Sequence, residues 1–334
     1  MEAGDFIAEM ADKGVRNLAR AALVEYSNCR LCPWECGVDR LAGEAGRCGA
    51  SVWGEVFYSG LLVNEEQELN PAYEVFFSGC NLSCRFCYLA DRVGSMGHPG
   101  ILGHPLFADA GLGLARSLCA VGGEPGVNLL GCLYLFDKAG LRPRVWNSNM
   151  FYSGLVCEAV EQVADIVVAD VHFGNDRCAK RIAGAGRYLE TVLHNIAGAI
   201  KAGVEVIVRH LFLPGHLECC GLPVVRILAE RFPGLRFHLL SDYFPPCRSR
   251  AGCCPELCGE PEAGQVGVVL QEAGRRGLRV EPARRDSVAV FAGIAEHVEI
   301  VIDTCGRVFI PHFTPGLQAM AKEIFQDPGG VSRA

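Results

Sequence analysis

From residue 72 to residue 243, six short apolar runs alternate with longer segments whose apolar residues fall at helical spacing. The runs YEVFFS, SLCAV, PRVWNS, ADIVVADV, VEVIVRHLFL and LRFHLLSDY are rich in β-branched and aromatic residues, and Gly, Pro or Asn turns bound them. Between them, NLLGCLYLFDKAGL, GLVCEAVEQV, YLETVLHNIAGAIKAG and LPVVRILAERF read as helices. Parallel strands need such crossovers, because the chain must run back along the sheet before the next strand begins. Right-handed crossovers bring every strand's C-terminal end to one rim, where side chains from distant parts of the sequence converge. The expected fold class is α/β, a partial (β/α)6 TIM-like barrel over residues 71–245. An N-terminal helix (about 3–27) and a Cys-rich segment fill residues 1–70, with short strands around VWGEVFYSGLLV. Residues 246–334 add a Cys-rich loop, a helix (AGQVGVVLQEAGRRG), a hairpin over VEIVIDTCGRVFIP and a packing helix at LQAMAKEIF.

Directly after the first run comes SGCNLSCRFCYL, with Cys80, Cys84 and Cys87 spaced C-x3-C-x2-C. A structural zinc site is closed by four ligands, and no fourth Cys or His follows at short spacing. His98, in GHPGILGH, reads as a solvated loop histidine. A four-iron cluster ordinarily takes four thiolates, so three leave one iron open to an outside ligand. The position matters too, since a loop that follows a barrel strand stands at the chemically active rim.

Eighteen cysteines in 334 residues is a high count. The N-terminus lacks the short apolar core of a signal peptide and no run of about 18 apolar residues occurs. A cytoplasmic protein with no membrane partner is therefore expected, and there clustered cysteines are metal ligands more often than disulfides. A formal net charge of -7 without a dense Lys/Arg block argues against nucleic acid as a partner. Cys29, Cys32, Cys36 and Cys48 form C-x2-C-x3-C-x11-C, with Gly and Pro between them for tight turns. Four thiolates suit zinc or a second iron–sulfur cluster equally. Cys247, Cys253, Cys254 and Cys258, in PPCRSRAGCCPELC, are expected to form a third metal centre at the barrel mouth, a redox-active surface loop being the plainer alternative. Cys219 and Cys220, in ECCGLP, read as a helix entry with one buried thiol, a spare ligand being the alternative, whereas Cys119, Cys132, Cys157, Cys178 and Cys305 read as small buried hydrophobes.

The three-cysteine loop, with Phe86 just before the last thiol, resembles the signature of radical S-adenosylmethionine (radical SAM) enzymes. AVGGEP (Gly122, Gly123, Glu124) is similar to that family's second motif, and VWNSNMFYS, DVHFGNDRCA and VRHLFLPGH resemble a branch related to pyruvate formate-lyase activating enzymes. The resemblance covers residues 29 to 245 and implies the radical SAM type of barrel. It implies a 4Fe-4S cluster on Cys80, Cys84 and Cys87 and, on its open iron, SAM that is cleaved reductively to a 5′-deoxyadenosyl radical. Gly122, Gly123 and Glu124 would meet the methionine amino group, with Phe86 beside them. Asn147, Asn149, Asp170, His172, Arg209 and His210 would face the SAM cavity, the asparagines toward ribose hydroxyls, Asp170 toward ribose or ammonium and Arg209 toward the methionine carboxylate. Activating enzymes often carry lysine where His172 stands. The implied substrate is a protein or peptide, with a small molecule as the alternative, and the implied electron donor is a low-potential ferredoxin or flavodoxin. An iron–sulfur electron carrier is the competing class, which has no need of a SAM pocket. An open iron also implies oxygen sensitivity and anaerobic chemistry.

Overall fold

The computed structural model describes residues 3–94, 97–241, 243, 254–281, 301–302 and 308–309. Helices α1 (Ala3–Ala8) and α2 (Lys13–Tyr26) precede strand β1 (Val56–Leu62). Then follow β2 (Ala72–Phe77), α3 (Ala90–Val93), β3 (Ser117–Gly122), α4 (Leu129–Ala139), β4 (Arg144–Ser148), α5 (Leu155–Val163) and β5 (Ile166–Asp170). The barrel continues through α6 (Asp176–Ala183), α7 (Tyr188–Lys201), β6 (Glu205–Leu211), α8 (Leu222–Arg231) and β7 (Arg236–Leu240). The chain adds α9 (Ala263–Arg275), β8 (Arg279–Val280), β9 (Val301–Ile302) and β10 (Val308–Phe309).

The sheet runs β1 to β8 in sequence order and is not closed. β1 pairs antiparallel with β2, and every later neighbour is parallel, so the six expected runs are six consecutive parallel strands. Strand residues alternate between two faces. Val75, Phe77, Ala120, Trp146, Val167, Ala169, Val208 and Phe237 turn outward into the helix layer with Leu133, Val160, Ile196 and Val225. Cys119, Val145, Val168 and Ile207 turn inward against Leu69, from the β1–β2 connection. That connection spans the arc: Arg236 of β7 pairs with Glu68, and His238 of β7 lies 3.3 Å from Glu66.

Three local differences from the sequence reading have simple causes. The N-terminal helix is two helices, because the Asp12 carboxylate caps α2 by accepting from Gly14 N and Val15 N. DRCAKRIA forms an additional helix, α6, whose Asn175 cap accepts from Cys178 N at 2.8 Å. ECCG, expected as a helix entry, belongs to a π-turn over Leu217–Gly221 leading into α8. The expected hairpin pairs Val308 with Ile302, while its turn, the LQAMAKEIF helix, Cys247, Cys253 and Cys305 lie outside the described residues. No helix among the described residues is long and apolar enough to cross a membrane.

Candidate functional site

The three-cysteine loop leaves the C-terminal end of β2 and is held at several points by backbone. Cys80 N donates to Cys48 O at 3.0 Å, Ser83 N to Ala183 O at 2.9 Å and Arg85 N to Ile182 O at 3.0 Å. The last two bonds hang the loop on the final residues of α6. Trp34 Nε1 adds a bond to Asn81 O at 2.8 Å. Cys80, Cys84 and Cys87 are each half-buried. Burial pushes the Cys80 and Cys84 thiols up, and the nearness of other thiols raises both further. Thiolates there need positive charge, which a bound metal supplies as the protons leave. Leu82 N and Asn149 Nδ2, at 3.5 and 3.8 Å from Cys80 Sγ, aim donors at that sulfur.

The glycines beyond β3 are dictated by close packing. A Cβ on Gly123 would sit 1.9 Å from Gly79 O, and Gly122 has φ +109°. The turn can therefore lie directly against the start of the cysteine loop, with Gly123 N donating to Phe77 O at 2.8 Å and Glu124 N to Gly79 O at 2.9 Å. Glu124 differs from its expected role. Its carboxylate is fully buried and accepts from Gly126 N at 2.8 Å, Ser148 Oγ at 2.7 Å and Asn149 N at 2.9 Å. Burial raises its pKa to about 7 against those bonds. Glu124 thus ties the β3 turn to the end of β4. Asn149, held this way, donates to Asn81 Oδ1 at 3.0 Å and accepts from Phe151 N at 2.8 Å.

The polar strand ends divide between the faces. Asn147 and Asp170 share the inner face with Arg209, which stands opposite Asp170 in register. Burial raises the Asp170 carboxyl to about 7, opposed by Arg209. Arg209 is not an open fork for a ligand carboxylate. Its Nε donates to Glu66 Oε1 at 3.0 Å, its Nη2 reaches Glu66 Oε2, and Glu65 Oε2 lies 3.0 Å away. His210 cannot share Arg209's face, because neighbouring strand residues point oppositely. It stacks outward on Phe237 and sets Nδ1 2.7 Å from Val171 O. His172 meets the Phe86 ring edge-on at 5.2 Å, and burial lowers its pKa to about 3. A neutral imidazole stands here, not one titrating near neutrality.

The N-terminal cysteines adjoin this loop. Cys29 and Cys32 are buried, Cys48 is half-buried and Cys36 exposed. Burial, aided by the nearby Cys48 and Cys29, pushes Cys32 up to about 12. Arg40, stacked 4.1 Å over Tyr26, is the cation beside Cys29 and lowers its thiol against burial. Of the C-terminal group, Cys254 is buried and Cys258 exposed. Spacing missed another grouping. Cys178, expected to be a lone buried thiol, comes together with His216, Cys219 and Cys220, all four ligand atoms lying within 4.8 Å of one another.

No protein-family model matches the chain. An uncharacterised protein of Methanocaldococcus jannaschii is 27% identical over 237 residues, covering 67% of this chain and 68% of that one. Among solved structures, Streptococcus suis SuiB bound to S-adenosylmethionine matches 64% of this chain and 50% of its own, at 11% identity and a TM-score of 0.47. A domain of pyruvate-formate lyase-activating enzyme from Bacteroides vulgatus matches 51% of this chain and 100% of its own, at 16% identity and a TM-score of 0.38.

Proposed function

We propose that this chain is a radical SAM enzyme acting on a protein or peptide, with Cys80, Cys84 and Cys87 as its cluster ligands. The observation that carries the reading is a three-thiol loop at the C-terminal end of β2, backed directly by the Gly122–Gly123–Glu124 turn. The donor set fits a four-iron cluster: three half-buried thiols, two N–H groups aimed at one sulfur, and no fourth cysteine in the loop. A cluster held there, with SAM on its open iron, would supply the 5′-deoxyadenosyl radical that takes hydrogen from the substrate.

The chain's own residues do the positioning. Glu124 locks Asn149, and Asn149 steadies Cys80 and Asn81. In this reading Asn147 and Asp170 offer ribose or ammonium contacts from the inner face, and Phe86 and His172 form a neutral wall beside the thiols. Gly122 and Gly123 let the turn lie against Phe77 and Gly79, so that in this reading its backbone stands next to the thiol loop, where the methionine end would lie. Residues 1–70 carry an auxiliary cluster or zinc on Cys29, Cys32, Cys36 and Cys48, residues 71–245 the catalytic barrel, and 246–334 an extension. A low-potential ferredoxin or flavodoxin supplies the electron in a cytoplasmic, anoxic setting.

A second reading, a small cationic substrate, is favoured by the carboxyls of the barrel interior. Glu65, Glu66, Glu74 and Asp170 outnumber Arg209 there. The test of the shared claim is 5′-deoxyadenosine release. Reconstituted, reduced protein incubated anoxically with SAM is expected to form it, and Cys84→Ala to form none. Equal release from both, or from neither, contradicts the assignment.

A further inference from the structure

Far from one another in sequence, Cys178, His216, Cys219 and Cys220 converge on the outer side of the same rim. Cys178 lies in the first turn of α6, while His216, Cys219 and Cys220 belong to the π-turn between β6 and α8. All four ligand atoms lie within 4.8 Å of one another. His216 Nδ1 stands 3.1 Å from Cys219 Sγ and 3.7 Å from Cys220 Sγ. Tetrahedral zinc, with Zn–S of about 2.3 Å and Zn–N of about 2.0 Å, separates a sulfur and a nitrogen ligand by about 3.5 Å. The two distances bracket that value before any ion draws the atoms together.

The surroundings are those of a ligand histidine. With Nδ1 facing the thiols, Nε2 lies 3.3 Å from Glu256 Oε1, the carboxylate partner that fixes a metal-bound imidazole. Arg181 pairs with the same carboxylate, so its 3.2 Å approach to Nε2 is that of two donors sharing one acceptor. The backbone is built to close the group. Asn175 accepts from Cys178 N at 2.8 Å and donates to Cys219 O at 2.6 Å, joining the two halves. A Cβ on Gly174 would lie 2.9 Å from Cys219 O and 3.1 Å from Cys220 Cα, so only glycine lets these backbones meet.

We propose that Cys178, His216, Cys219 and Cys220 bind one zinc ion as a closed, structural Cys3His site, separate from the cysteine loop on β2. On binding, the three thiols release their protons to solvent and no electron moves. The resulting site carries one net negative charge, and Arg181 stands beside it. Its role follows from α6. Cys178 anchors the start of that helix, and Ile182 O and Ala183 O at its end accept from Arg85 N and Ser83 N of the three-cysteine loop. Zinc here clamps the helix on which that loop hangs.

Two measurements test this. In the intact, anoxically purified protein, the zinc X-ray absorption spectrum is expected to contain an imidazole nitrogen among sulfurs. The N-terminal group Cys29, Cys32, Cys36 and Cys48 has only thiols, so a nitrogen on zinc reports His216. A shell of sulfur alone, or no zinc at all, overturns the proposal. Metal counting then locates the ion: Cys178→Ala is expected to lose one zinc per chain, and the half-buried Cys157→Ala none. Zinc retained in Cys178→Ala, or iron lost in its place, overturns it as well. Neither readout depends on SAM cleavage, so this site and the proposed activity stand or fall separately.

Discussion

Replacing Arg209 with methionine tests whether this arginine holds the fold or waits for a ligand. Glu66 is 2% exposed and receives two bonds from Arg209, with His238 Nδ1 3.3 Å from the same carboxylate. Arg209→Met leaves that carboxylate buried without its fixed cation. Breaking a buried pair on one side costs about 3–5 kcal/mol, much more than losing an exposed contact. The pH dependence carries a sign. Burial alone would raise Glu66, but Arg209 and His238 hold it below the ordinary 4.5. The pair's contribution is therefore present above pH 4.5 and fades as pH falls below it through the depressed folded value. The stability gap between wild type and variant should be widest at neutral pH and narrow on acidification. Urea denaturation followed by circular dichroism at several pH values measures both, and Glu66→Gln combined with Arg209→Met should recover much of the loss. A variant within about 0.5 kcal/mol of wild type at neutral pH, or a gap that widens in acid, refutes the structural role.

Gly123→Ala forces a Cβ to within 1.9 Å of Gly79 O, so backbone must move. A cost of about 1–3 kcal/mol is expected, together with reduced iron retention at the adjoining cysteine loop, read by metal counting. Asn149→Ala removes a donor from Cys80 Sγ and should lower the cluster's reduction potential in a redox titration while Cys84-dependent iron is retained. Glu74, Glu124 and Asp170 all have folded values raised to about 7 by burial, so the native state binds their protons more tightly. Their contribution is full below the ordinary 3.8 to 4.5 and is lost as pH rises from there through about 7. Urea midpoints should accordingly fall over that interval, and less so in Glu74→Gln.

The six parallel strands are legible because strands buried on both faces must be nearly continuous apolar runs. α6 escapes detection because its short stripe of Cys178, Ala179, Ile182 and Ala183 is set among four charged residues, Asp176, Arg177, Lys180 and Arg181. Period-two alternation already forbids Arg209 and His210 a common face, a signal present in the sequence. Arg209's partner is another matter: Glu66 is 143 residues away, and only the curl of the sheet joins them. The Cys178 group lies between these cases. His-x2-Cys-Cys is a readable local fragment, but its fourth ligand is 38 residues upstream of His216 and becomes a neighbour only when α6 packs beside the π-turn. Glu124 shows the converse, since its motif is legible while its three internal bonds are not.

In the proposed enzyme, three thiolates leave one iron open to SAM. The direct measurement is the electron paramagnetic resonance spectrum of the reduced protein, recorded anoxically before and after SAM is added. A reduced four-iron signal that changes on SAM addition and is absent in Cys84→Ala is expected. A spectrum in which no component responds to SAM, or which the loss of Cys84 leaves wholly unchanged, would contradict the assignment.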